Sequence, residues 1–500
     1  RSSALDSSVN GSFFNGLLWK EERMRLKEYS RREFLRASSA AAVLGIPVSS
    51  AITADPQRAL AQRPNVLFIN TDQQRADTLS CYGNSRVKTP HLDSLAAQGT
   101  LFTSCYATQP VCSPCRSSMV TGLFPNATSV IENNIPLPTH IFAWPRALHD
   151  AGYKTCYIGK WHLGINPVPD YFDVWRGFNT GWKHFIKEEP FFAAPGEMDT
   201  AFRKRIAVSP PVVHKTRSVI GRYRPDVETD LALDFIHENQ SRPFACWLSF
   251  YPPHTPKEAP AENIAIYRDQ MEPRDQAIYH AMVNRLDWNI GRVLTRLDEL
   301  GLRQRTVIVF TSDHGENFPL RWNHHYKRLC YDQAANVPLL VSMPGTLSQG
   351  AQTERVVSIA DLCPTILDLC GLDMPAGVHG ESLKPLLTGK AGAWRDDAFI
   401  QNNPYPGSNK EGSDGEMEGK QPEMRERCLV TREWKLILNT SRPPELYNRQ
   451  NAQPDTCNLF GQDETRAVVR SLAKRMLEWS EKTGDNLTNQ IVAQWEHQWQ

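Results

Sequence analysis

The sequence predicts an α/β fold: a large mixed, mostly parallel sheet flanked by helices, followed by a smaller C-terminal α+β subdomain. Three observations carry this. Continuous apolar runs at 65–70, 244–250 and 306–311 have no polar alternation, which marks strands buried on both faces. Segments with helical apolar spacing separate such runs, the order expected of a parallel sheet with helices packed on it. After Gly389 the composition turns polar, and shorter strand-like segments precede one last helix.

The chain has 500 residues, enough for two domains. Lys and Arg total 56 against 55 Asp and Glu, a formal charge of +1. That balance leaves no basic stripe and argues against a nucleic-acid partner. The 11 cysteines are odd in number and lack a small-scaffold spacing, so most read as buried thiols.

Near the N-terminus, Ser30-Arg31-Arg32-Glu33-Phe34-Leu35-Arg36 reads as a twin-arginine export motif. A small-residue apolar stretch at 37–51 follows, then Ala59-Leu60-Ala61 as a cleavage site, so the mature chain is expected to start near Gln62. A buried Ala-rich helix is the less favoured alternative for that stretch. It is too short and too poor in large apolar residues for a membrane span. Met24 is a more natural start than residues 1–23. Twin-arginine export would deliver a folded protein to the periplasm or beyond.

The first strand, 65–70, runs into Thr71-Asp72-Gln73-Gln74-Arg75. α/β sheets place their sites at the C-terminal ends of such strands. Asp72 offers a hard oxygen ligand and Gln73 a neutral one, although Asp72 could also be an ordinary helix cap. Thr89 and Pro90 start a helix that Gly99 ends. A short strand from Leu101 leads to Cys112-Ser113-Pro114-Cys115-Arg116. A helix is expected to continue downstream, which puts Cys112 at its N-terminus, where free amides favour an oxyanion. Taken alone, C-x-x-C is a redox pair or half a zinc site, but no second pair exists to complete the latter.

The strand at 154–158 ends in Gly159-Lys160-Trp161-His162-Leu163-Gly164. In extended backbone Lys160 and His162 would point to the same side. Residues 165–240 are rich in proline and aromatics and read as loops over the site. The strand at 244–250 runs into Tyr251-Pro252-Pro253-His254-Thr255-Pro256, a histidine fixed between prolines. From 275 to 300, Ile278, Met282, Leu286, Ile290, Val293, Leu297 and Leu300 form one helical stripe, read as core. The strand at 306–311 ends in Ser312-Asp313-His314-Gly315-Glu316-Asn317. Asn323-His324-His325-Tyr326-Lys327 follows, with His324 and His325 either reaching substrate or lying at the surface. A strand at 337–341, a helical region at 358–367, a hairpin near Arg432-Glu433-Trp434-Lys435 and a helix at 464–483 complete the order. Residues 402–426 read as a polar surface loop.

These motifs, in this order over about residues 62–485, resemble the type I, formylglycine-dependent sulfatases of the alkaline phosphatase superfamily. The carriers are C-S-P-C-R with Thr121-Gly122, G-K-W-H-L-G, P-H-T-P, S-D-H-G-E, and Lys327 four residues before Tyr331. The resemblance implies that Cys112 is oxidised to formylglycine by a maturation enzyme. The hydrated aldehyde supplies one hydroxyl to attack sulfur and a second whose deprotonation expels sulfate. It further implies one divalent cation held by Asp72, Gln73, Asp313, His314 and the modified Cys112. Calcium is the first expectation, with manganese or magnesium as alternatives, because histidine at 314 softens the ligand set. Arg116 would hold the modified residue. Lys160 and His162 would bind sulfate and act as base. His254 and Lys327 would serve the leaving group. The expected organisation is an upstream extension and signal over 1–61, a catalytic domain over 62–389 and a C-terminal subdomain over 390–500.

The implied activity is hydrolysis of sulfate monoesters by an exported enzyme, on sulfated glycans or smaller molecules. The nearest rival is a phosphonate monoester or phosphodiester hydrolase, which shares the scaffold and an Asp-Gln…Asp-His metal set. A non-catalytic sulfated-glycan-binding protein is the more distant one.

Overall fold

The apolar runs become strands of one large sheet: β1 (Asn65–Asp72), β2 (Thr100–Tyr106), β3 (Lys154–Lys160), β4 (Val174–Phe178), β5 (Phe244–Pro253), β6 (Thr306–Ser312), β7 (Asn336–Ser342), β8 (Ala351–Thr353) and β9 (Val357–Ser358). The computed structural model describes residues 60, 63–180, 183–187, 219–269, 274–318, 327–390, 392–403, 425–451 and 455–500. The export motif, His324, His325 and most of the 402–426 loop lie outside them. The strand order is β4-β3-β5-β1-β6-β7-β2-β8, with β9 also on β2. The pairs from β4 to β6 are parallel, and β7 runs antiparallel to both its neighbours. The mixed, mostly parallel sheet is therefore present.

Every residue of β1, β5 and β6 is buried, as unbroken apolar runs require. Alternate residues feed two cores. Val66 and Phe68 join Trp144 and Trp247 on one face, while Leu67 and Ile69 join Met282, Leu286 and Ile290 on the other. Those last residues belong to the long helix Arg274–Glu299, whose apolar stripe is core. No helix among the described residues is long and apolar enough to cross a membrane. All the cysteines are free, and only Cys81 and Cys457 are not buried.

Residues 165–240 are more regular than expected. They contain β4 and a helix, Arg224–Glu238. That helix has Pro225 in its first turn and carries so many acidic residues that its apolar face is hard to see in sequence.

The second sheet is antiparallel, in the order β10 (Asp397–Asn402), β11 (Glu426–Thr431), β12 (Trp434–Asn439) and β13 (Glu445–Asn448). Its alternation serves two buried faces. Cys428, Val430 and Ile437 pack toward Tyr106 and Tyr331 of the large-sheet region. Leu429, Leu436 and Leu438 pack under the helix Arg466–Thr483, through Val469, Leu472 and Met476. A further helix, Asn486–Trp495, had no sequence expectation and adds Ile491 and Val492 to that core.

Candidate active site

The β5-β1-β6 order puts the ends of three adjacent strands side by side, and the polar residues after each run meet there. β1 ends in Asp72, β5 leads into His254, and β6 leads into Asp313 and His314. β3, on the far side of β5, ends in Lys160. The helix α1 (Cys112–Thr121) starts at Cys112 itself, so the residue sits on a helix N-terminus.

Cys112 is fully buried at the centre. Its Sγ lies 3.2 Å from His314 Nε2, 3.6 Å from Asp72 Oδ1, 3.6 Å from Lys160 Nζ and 3.8 Å from Lys327 Nζ. The ligand atoms of Asp72, Cys112, Asp313 and His314 all lie within 4.8 Å of one another. As a bare thiol, Cys112 is pushed up to about 12 by burial and by Asp72.

Arg116, one turn along α1, binds the two carboxylates together. Its Nε lies 2.8 Å from Asp313 Oδ2 and its Nη2 2.9 Å from Asp72 Oδ2. Nη1 donates to the Lys160 carbonyl at 2.5 Å and to Ser249 Oγ at 2.9 Å. Burial alone would lower the Arg116 guanidinium, but Asp313 and Asp72 hold it above its ordinary value. Lys160 Nζ pairs with Asp72 Oδ2 at 2.9 Å and lies 4.5 Å over the Tyr251 ring. Burial would raise the Asp72 carboxyl, yet Lys160, His254, Arg116 and His314 keep it well below the usual range.

The donor set fits a divalent cation. His314 Nδ1 lies 2.8 Å from the Gly315 carbonyl and donates to it, which leaves Nε2 as a bare donor facing Asp72 and Asp313. Gln73 adds an amide oxygen that is buried without a hydrogen-bond partner. Two carboxylates, an amide oxygen and an imidazole suit a hard or borderline ion.

Lys327 Nζ lies 3.2 Å from His254 Nε2. His254 Nδ1 donates to the Thr255 carbonyl at 2.8 Å, and its ring stacks on Tyr251 at 4.8 Å.

His162 departs from the expectation. Its φ is 59°, so the extended geometry that would align it with Lys160 does not reach it. Its ring instead meets Asn134 Oδ1 at 3.1 Å, and its carbonyl accepts from Ser113 Oγ at 2.6 Å. Burial, with Lys160 and Arg116, holds this imidazole well below its ordinary value, so it is neutral.

Sequence reasoning missed several supporting residues. Ser249 and Tyr251 reach the site because β5 lies beside β3, and Asn134 reaches His162 from a turn outside the sheet. Gly159 hints at the first of these. Its φ is +101°, and an added Cβ would stand 1.9 Å from the Ser249 carbonyl.

A family model for sulfatases matches residues 64–372, more than half of the chain. The chain belongs to the sulfatase family, within the alkaline phosphatase superfamily. A second model, described as N-sulphoglucosamine sulphohydrolase, C-terminal, matches residues 321–482 of this sulfatase. An ulvan-active sulfatase of Formosa agariphila is 27% identical over 85% of this chain and 82% of its own. Among solved structures, one in complex with its substrate D-glucosamine-2-N,6-O-disulfate superposes with a TM-score of 0.71 at 22% identity. The match covers 85% of this chain and 99% of that one. A phosphonate monoester hydrolase of Agrobacterium radiobacter gives a TM-score of 0.66 at 24% identity, covering 84% and 96%. At such identities the superpositions show the fold. The sulfatase is a sulfuric ester hydrolase.

Proposed function

We propose that this sulfatase removes sulfate from sulfated carbohydrates, using formylglycine made from Cys112 and one divalent cation. The observation that carries the reading is the setting of Cys112 Sγ, within 3.8 Å of Asp72, His314, Lys160 and Lys327. The relatives add to it: the Formosa agariphila protein is ulvan-active, and a structural neighbour holds a sulfated glucosamine.

Asp72, Gln73, Asp313 and His314 would hold the cation, which when bound supplies fixed positive charge against developing oxyanions. Formylglycine, as its hydrate, supplies a nucleophilic oxygen and a second hydroxyl for release of sulfate. Arg116 fixes both carboxylates and the end of β3. Lys160 and Lys327 present ammonium groups toward the sulfate oxygens. Neutral His162 is available to accept the proton of the second hydroxyl. Lys327 and His254 face the leaving oxygen. By family resemblance calcium comes first, with manganese or magnesium as alternatives because the His314 imidazole softens the donor set. On sequence grounds, the division at 389, conversion by a maturation enzyme and twin-arginine export to the periplasm belong to the same proposal.

Peptide mass spectrometry across Cys112 tests the nucleophile: formylglycine is expected, and an unmodified thiol in active protein refutes it. The Asp72-Gln73 and Asp313-His314 set also favours a second reading, phosphonate monoester or phosphodiester hydrolysis. Parallel assays with an aryl sulfate and a phenyl phosphonate ester separate the two. Sulfatase activity should dominate, and a reversed ratio overturns the first reading.

A further inference from the structure

Gln73 has two unlike ends, and only one of them can bind a cation. A carboxylate at neutral pH accepts hydrogen bonds and donates none. Glu316 Oε2 lies 3.0 Å from Gln73 Nε2, so the nitrogen must face Glu316. The oxygen is thereby turned the other way, where it is buried without a partner. The backbone of Gln73 is also held. Its N–H donates to Asp313 Oδ1 at 3.1 Å, and its carbonyl accepts from the Tyr279 hydroxyl at 2.7 Å. Gln73 keeps a φ of 66°, in the left-handed region that non-glycine residues rarely adopt.

Glu316 is itself braced. Lys257 Nζ lies 2.5 Å from the same Oε2 and donates to the Pro253 carbonyl at 3.2 Å. Its ammonium also rests 4.6 Å over the Tyr279 ring. Glu316 is 2% exposed, so little water competes for its oxygens. Lys257 follows β5, Glu316 follows β6 and Gln73 follows β1, so the chain of contacts crosses three neighbouring strand ends. It approaches the cation site through Gln73.

We propose that Glu316, held by Lys257, is a positioning residue. It selects the amide orientation of Gln73, so that oxygen and not nitrogen is offered to the cation. The inference rests on reading Gln73 as a cation ligand, and the test separates the two.

Calcium binding to the chelator-stripped, full-length protein is measured by equilibrium titration, with manganese in parallel. Glu316→Leu removes the acceptor and should weaken affinity about 10- to 100-fold, the usual scale for partners of metal ligands. Glu316→Gln keeps an acceptor and should lose about threefold or less. In a Gln73→Glu background the side chain has no wrong end and its carboxylate would stand against Glu316, so Glu316→Leu should leave affinity unchanged or raise it there. Unfolding curves check that each variant folds, and Glu316→Met replaces Glu316→Leu if the latter does not. Affinity unchanged in Gln73→Ala overturns the ligand reading and the positioning role with it. Affinity lost in Gln73→Ala but kept in Glu316→Leu overturns the positioning role alone. An equal loss from Glu316→Leu in both backgrounds also overturns it, by making Glu316 a general structural brace.

Discussion

His254 Nε2 and Lys327 Nζ lie 3.2 Å apart at the buried centre of the site. With Nδ1 given to the Thr255 carbonyl, Nε2 is the acceptor and the lysine the donor. Two groups are thus placed to share one proton at the leaving oxygen. His254→Ala should depress kcat/KM for alkyl sulfates by about 10²–10⁴-fold, the usual worth of general acid catalysis. For an aryl sulfate with an acidic phenol the loss should be several times smaller. A series of leaving groups checks this, and equal losses across the series would count against His254 and Lys327 sharing that proton.

Cys112→Ala should abolish turnover and leave the fold intact. The thiol is small and fully buried, so its removal opens little space, and destabilisation of about 1 kcal/mol or less is expected. Activity and denaturant unfolding measured on one preparation check both halves. Residual turnover near the parent rate would remove Cys112 from the mechanism.

The site was legible where polar residues ended an apolar run. Asp72 and Lys160 end their strands and His254 and Asp313 directly follow theirs, and strand ends in a parallel sheet share one edge. What escaped were contacts set by strand order, which no local pattern records. Ser249 reaches the Lys160 carbonyl because β5 lies beside β3, and Lys257 reaches Glu316 because β5 and β6 flank β1. His162 was misplaced for a local reason. A two-residue spacing means one side only while the chain stays extended, and the chain turns at φ 59°. The helix Arg224–Glu238 was hidden by its own charges, among them Asp226, Asp230 and Asp234.

Arg116 is expected to matter more for stability when the cation is absent. It is the shared partner of Asp72 and Asp313, and all three are buried. Arg116→Gln leaves Asp313 without its guanidinium and Asp72 with Lys160 as its remaining cationic partner, and breaking such a buried pair costs about 3–5 kcal/mol. A bound cation would replace part of that charge. Unfolding of the chelator-treated protein should therefore show the full loss, and unfolding in excess calcium a smaller one. An identical loss in both conditions would argue that the carboxylates do not face a cation.

Glu228 gives a prediction away from the cluster. Both its oxygens are buried without a hydrogen-bond partner, and burial raises its carboxyl to about 8 despite Arg224 nearby. In the unfolded chain the same group titrates near its ordinary 4.5. Between these values the folded protein keeps a proton that the unfolded chain has lost. Stability therefore falls as pH rises through this window, by at most about 1.4 kcal/mol per pH unit from this one group. Below about 4.5 both states are protonated and the penalty vanishes, and above about 8 it is constant. Glu228→Gln keeps the shape and removes the titration. Its stability should match the parent near pH 5 and exceed it by a few kcal/mol near pH 8, as read from denaturant unfolding at the two pH values. A parent and variant that differ by the same amount at both would show that Glu228 is already ionised in the fold.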